Sequence, residues 1–191
     1  MTLQRPARLL PLAAAAALAL LLSACGKVEE KLSEKAAEKM IESSLSKDGN
    51  DAKVSLSEGG IKTTITDKDG KTQHFEMGNA KVSEGDLGLP FYPGAQQQAD
   101  KASRMASDEG SMVTTSFSSP DATDKIAGFY RDKLKARAGG KQFSESALPD
   151  GMFLLILTDE KNTDHTQVTI TREGQASEVV IMRAVNTPKA S

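Results

Sequence analysis

Few residue types in this chain can do chemistry: 191 residues include one cysteine, two histidines and no tryptophan. Cys25 stands in Leu-Leu-Ser-Ala-Cys-Gly at 21–26, directly behind an alanine-leucine run. A lone thiol can serve as nucleophile, metal ligand, disulfide partner or acceptor of a covalent modification. His74-Phe-Glu76 has the His-x-Glu spacing of zinc deaminases, but the partner cysteines are missing. His74 and His165 both read as ordinary strand histidines. Ser, His and Asp all occur, yet no Gly-x-Ser-x-Gly elbow nominates a nucleophile. Asp67, Asp69, Gly70 and Glu76 superpose on part of an EF-hand loop, but its first ligand position falls on Ile65, which has no oxygen to offer. An Asp-Gly hairpin turn accounts for those residues. No catalytic residue, metal ligand or cofactor is expected.

What remains is Cys25 as an acceptor, and the residues before it say of what. Arg5 and Arg8 precede any acid, and from Leu9 to Leu22 Pro11 is the only non-aliphatic residue. Fourteen residues at about 1.5 Å each span roughly 21 Å, short of the ~30 Å hydrocarbon core. The run therefore reads as a signal peptide, residues 1–24. Leu22-Ser23-Ala24-Cys25 resembles the bacterial lipobox. That resemblance implies a diacylglycerol thioether on Cys25, cleavage before it and acylation of the new N-terminus. Several acyl chains on one residue anchor stably, where a single chain does not. Gly26, where inner-membrane lipoproteins tend to carry Asp, implies the outer membrane facing the periplasm.

With the signal removed, 22 basic residues face 26 acidic ones, a balance of −4. No basic excess is left to neutralise phosphates, so nucleic acid is not an expected partner. Lipid on the sole cysteine leaves no thiol for a disulfide, and the fold must stand on packing.

The elements follow from periodicity. Lys-x-x-Glu repeats four times from Lys27 to Glu42, predicting a helical tether at 25–48 with opposite charges three residues apart. Val28, Leu32, Ala36 and Met40, joined by Ile41 and Leu45, form a thin apolar stripe. Two roles are open: a solvated spacer, or docking through Leu32, Met40, Ile41 and Leu45. Over 49–79 the period changes to two, with turns at Gly59-Gly60 and Asp67–Gly70, predicting a three-stranded meander with one apolar face. Residues 80–95, rich in Gly and Pro, read as a linker ending in a Tyr92-Pro93-Gly94-Ala95 type II turn.

From 96 to 186 an α+β domain is expected: an antiparallel sheet with one long packed helix, in the order strand, strand, helix, four strands. Ser119 reads as the helix N-cap and Pro120 as its first residue, with Gly139-Gly140 past its end. Ile126, Phe129, Tyr130 and Leu134 lie on one face. Arg131, Lys133, Lys135 and Arg137 complement the helix dipole. Met152–Leu157 is continuously apolar and should be central, covered on both faces. Residues 187–191 read as a disordered tail.

The wording Leu-Gly-Leu-Pro-Phe-Tyr-Pro-Gly-Ala at 87–95, followed by strands and a helix bearing Phe129-Tyr130, resembles a group of bacterial envelope lipoproteins without assigned activity. The resemblance covers roughly residues 50–135 and implies location and architecture. The expected role is non-enzymatic: a membrane-anchored module offering a sheet face, the Phe91–Ala95 turn or its helix to an envelope protein partner. Phe91, Tyr92, Pro93, Phe129 and Tyr130 are the candidate binding residues. The alternative, a small apolar ligand, requires a concave pocket between helix and sheet.

Overall fold

A computed structural model describes residues 26–46, 49–57 and 59–187, the first seven of them as backbone alone. The signal segment, Cys25 and residues 188–191 of the expected tail lie outside the described residues. The chain runs α1 (Gly26–Leu45), β1 (Asp51–Ser57), β2 (Gly60–Thr66), β3 (Thr72–Met77), α2 (Glu84–Leu87), β4 (Gln96–Ser107), β5 (Gly110–Ser119), α3 (Thr123–Ala136), β6 (Gln142–Leu148), β7 (Met152–Thr158), β8 (Asp164–Glu173) and β9 (Ala176–Asn186). The nine strands make one antiparallel sheet in the order β1-β2-β3-β4-β5-β9-β8-β7-β6. The fold is α+β, with the expected succession of two strands, one helix and four strands from Gln96 onward. The meander is present but does not stand apart: β3 pairs with the second half of β4, Phe75 opposite Met105, and extends the same sheet.

Alternation decides which side is buried. Across β5, β9, β8 and β7, Phe117, Val179, Ile170 and Phe153 stand in one row, and Thr115, Ile181, Val168 and Leu155 in the next. Onto these rows α3 lays Ile126, Ala127, Tyr130 and Leu134, all fully enclosed. Each such aliphatic side chain contributes about 1.5–3 kcal/mol by leaving water. The helix starts later than expected, at Thr123 with Ala122 as an N-cap that makes no side-chain bond. Ser119 closes a local turn instead, accepting from the Asp121 N–H at 3.2 Å.

The segment read as a linker, 80–95, packs into this core through Ala80, Val82, Leu87, Leu89 and Tyr92. Its prolines and glycines mark irregular backbone, which buries as well as regular backbone once its polar groups are paired. The one-turn α2 carries a capping box, Ser83 with Asp86, and stops at Gly88, whose φ of +63° is a left-handed cap. The Tyr92–Ala95 turn closes with Ala95 N–H donating to the Tyr92 carbonyl at 3.1 Å and Gly94 at φ +76°.

Strand β7 also departs from expectation. It is next to the sheet edge, and only Leu155 and Leu157 are buried; Met152, Leu154 and Ile156 on its other face are half-exposed. Continuous hydrophobicity there reflects two apolar faces of which one is covered.

The tetrad helix docks through its charges. Along β1 the Ala52, Val54 and Leu56 N–H groups point away from the sheet, and they donate to Ser46 Oγ, Glu42 Oε1 and Glu38 Oε1 at 3.1, 2.8 and 2.7 Å. Four helical residues rise about 6.0 Å and two strand residues about 6.6 Å, so side chains at every fourth helix position meet every second strand amide. Of the expected apolar stripe, Met40 is 75% exposed and Ala36 and Leu45 also face water, while Ile41 is half-buried, as is Ala37 outside the stripe. The helix thus closes an edge that would otherwise present free donors.

Candidate functional site

The nominated aromatic residues meet where the Tyr92 turn crosses α3. Tyr92 and Phe129 pack edge to face at 5.3 Å, Phe129 and Tyr130 at 5.1 Å, and Tyr92 lies 6.5 Å from Tyr130. Phe91 turns away to pack on Phe117 at 4.7 Å. Tyr92, Pro93 and Phe129 line a shallow depression of about 310 Å³ together with Asp121 and Lys125. Tyr130 lies beneath, fully buried.

Sequence reasoning missed Asp121 and Lys125 as part of this patch. The Tyr92 hydroxyl donates to Asp121 Oδ2 at 2.6 Å, and Lys125 Nζ donates to the same oxygen at 2.9 Å. The i, i+4 spacing of Asp121 and Lys125 was the available signal; the tyrosine, 29 residues away, gave none. Burial first and the Asp121 hydrogen bond second raise the Tyr92 pKa. Hydrogen bonds from Tyr92 and then Lys125 lower that of Asp121, and Asp121 raises that of Lys125. All three shifts move away from neutrality, which suits a fixed polar clamp better than a proton relay. Tyr130 is likewise pushed upward by burial.

The histidines stand apart. His74 Nδ1 pairs with Thr64 Oγ1 at 3.1 Å on the exposed meander, while His165 sits on β8 opposite Ala184. At the Asp67 turn, Asp67 Oδ1 accepts from the Asp69 and Lys71 N–H groups at 2.9 Å each, and Glu76 pairs with Lys62 at 3.1 Å, so the EF-hand-like residues serve a hairpin. Among the described residues no group of three or more His, Cys, Asp or Glu is placed to hold a metal. No described helix is long and apolar enough to cross a membrane.

The larger feature is the sheet face opposite α3. Register places Leu56, Ile61, Met77, Ser103, Thr114, Met182, Gln167 and Ile156 in one line across eight strands. The neighbouring line holds Val54, Thr63, Phe75, Met105, Met112, Ala184 and His165. Large apolar residues recur in both, Leu56, Ile61, Met77, Met182 and Ile156 in the first and Val54, Phe75, Met105 and Met112 in the second, yet α2 and α3 pack on the other face and α1 lies along β1. Ile61 is 42% and Met77 64% exposed. In the meander the opposite face is polar, with Lys53, Lys62, His74 and Glu76. The two halves of the sheet therefore point their apolar residues differently, and this face carries exposed Ile61 and Met77 with half-exposed Phe75, Met105, Met112, Met182 and Ile156 among polar Ser103, Thr114 and Gln167.

The chain matches no family model, no curated protein and no solved structure.

Proposed function

We propose that this protein is a lipid-anchored envelope lipoprotein, held in the outer membrane by Cys25 and facing the periplasm, that acts without catalysis by binding another envelope protein through its open sheet face. The observation that carries the binding half is the row of exposed Ile61 and Met77 and half-exposed Met182 and Ile156 on the face that no helix covers, while the interior on the other side is filled. An exposed apolar patch is costly in a protein that has no use for it. The anchoring half rests on the sequence of residues 5–25, its basic start, apolar run and lipobox-like end. A small apolar ligand fits less well. The space between helix and sheet is occupied by Ile126, Tyr130, Leu134, Leu155 and Val168, and the concavity beside it is shallow.

Two experiments test the two halves. Metabolic labelling with palmitate should tag the wild type, and Cys25→Ser should leave it unlabelled and either unprocessed or released from membranes. Labelling of neither protein overturns the anchor. Crosslinking in intact envelopes followed by purification should recover a specific protein; recovery of none, with a small molecule co-purifying instead, contradicts the binding mode.

A further inference from the structure

The basic row at the end of α3 does not behave as four equivalent charges. Arg131 makes a two-pronged bond to Glu145, Nε to Oε2 at 2.6 Å and Nη2 to Oε1 at 2.5 Å. Lys133 lies over the Phe129 ring at 5.4 Å and Lys135 over Phe143 at 5.5 Å. Arg137, the C-cap, has no hydrogen-bond or ion-pair partner for its side chain among the described residues, and its Nη1 is enclosed by protein. A guanidinium offers five donors, and an enclosed donor left unbonded is costly.

Its surroundings add charge of the same sign. The Arg137 guanidinium lies against Gly88, where an added Cβ would come within 2.5 Å of Nη2. Two residues earlier the Asp86 carbonyl accepts from Arg183 Nη1 at 3.4 Å, so both guanidiniums lean on the same short stretch of α2 and its cap. Arg183 and Lys141 share a single carboxylate, Asp164: Arg183 Nε reaches Oδ1 at 3.2 Å and Nη2 reaches Oδ2 at 3.3 Å, while Lys141 Nζ bonds Oδ2. Asp86 is already taken by Arg104 at 2.9 Å. The cluster thus holds the cations Arg104, Arg137, Lys141 and Arg183 against the carboxylates Asp86 and Asp164, a surplus of two positive charges. Burial first and Arg183 second lower the Arg137 pKa, opposed by Asp164, the carboxylate that Arg183 and Lys141 already share.

We propose that Arg137, together with Arg183 and Lys141 where the end of α3 meets α2, forms a binding site for a phosphate-type oxyanion. Planar N–H pairs match two oxygens of a tetrahedral oxyanion, and a bound dianion cancels the surplus charge. Gly88 matters because a side chain there would displace the guanidinium. The oxyanion is either free phosphate, which as a dianion offsets both charges, or the phosphodiester headgroup of an anionic phospholipid, which offsets one; both present a pair of unesterified oxygens to the guanidiniums. This site lies on the α3 side and is independent of the partner proposed for the open face.

The test uses the full-length protein in neutral detergent, labelled with ¹⁵N, at constant ionic strength. Inorganic phosphate and short-chain phosphatidylglycerol below its micellar concentration are titrated separately, with short-chain phosphatidylcholine as the zwitterionic control. Saturable shifts of the Asp86, Gly88 and Arg137 signals are expected, and Arg137→Gln should weaken the binding at least tenfold while Lys133→Gln leaves it unchanged. Phosphate binding as tightly as the glycerolipid identifies a free ion; tenfold preference for the glycerolipid identifies a headgroup. Absence of saturable shifts with either probe, or equal weakening by Lys133→Gln, overturns the proposal.

Discussion

The two long helices serve the same sheet in opposite ways. Helix α3 gives the sheet apolar volume: Ile126, Tyr130 and Leu134 fill the space over Leu155, Val168 and Ile181. Helix α1 gives it acceptors: Glu38, Glu42 and Ser46 satisfy three β1 amides and leave Ile61 and Met77 of the meander's apolar face exposed. One contact is made mainly of dispersion and water release, the other mainly of charge-assisted hydrogen bonds at a partly wet edge. A helix beside a sheet is thus not by itself a cover for it. Where the helix sits on the edge, the face stays available, and the row holding Ile61, Met77, Met182 and Ile156 is the result.

Substitutions can break this contrast. Leu134→Ala removes a fully enclosed side chain and should cost about 3–4 kcal/mol. Chemical denaturation should show that loss as a lowered midpoint with an unchanged slope. The double change Glu38→Ala and Glu42→Ala should cost about 1–2 kcal/mol, because the freed Val54 and Leu56 amides can turn to water. Its clearest sign should be local: hydrogen exchange of those two amides should quicken about tenfold or more, with β5 and β9 amides changing little. A cost equal to that of Leu134→Ala would mean that α1 belongs to the main core after all.

A smaller effect belongs to α2, which joins the two regions. Hydrogen bonds from Arg104, then from the Ser83 hydroxyl and N–H, lower the Asp86 carboxyl from 3.8 to about 2. A depressed carboxylate pKa stabilises the fold above its unfolded value, and that contribution is lost as the pH falls from about 4 to about 2. The side chain is partly solvated, at 29% exposure, so about 1 kcal/mol is expected after screening. Asp86→Asn should flatten melting temperature against pH in that window and leave the slope above pH 5, taken as roughly flat, unchanged.

Much of the secondary structure was legible because periodicity is local. The switch to period two over 49–79, the Asp67–Gly70 turn and the α3 face with Ile126, Tyr130 and Leu134 all appear where the pattern puts them. What was not legible depends on partners distant in sequence. Nothing in Ala80, Val82 and Leu89 tells a linker from an irregular core segment, since burial there is decided by core residues distant in sequence. The Lys-x-x-Glu repeat read as surface charge, and its match to strand amides emerges only once β1 lies alongside. Met152–Leu157 showed two apolar faces but not that one lacks a cover. At the candidate site, Tyr92 and Phe129 met as nominated, whereas Asp121 and the Arg137–Arg183–Asp164 cluster were hidden by sequence separation.

The claim that the open sheet face is the working surface can be tested directly by placing a photo-crosslinking amino acid at Met77 or Met182 and, as a control on the α3 side, at Lys133. After irradiation of intact cells, a discrete higher-mass adduct is expected at Met77 and Met182 and not at Lys133. Adducts at Lys133 alone, or none at either methionine position, would contradict it.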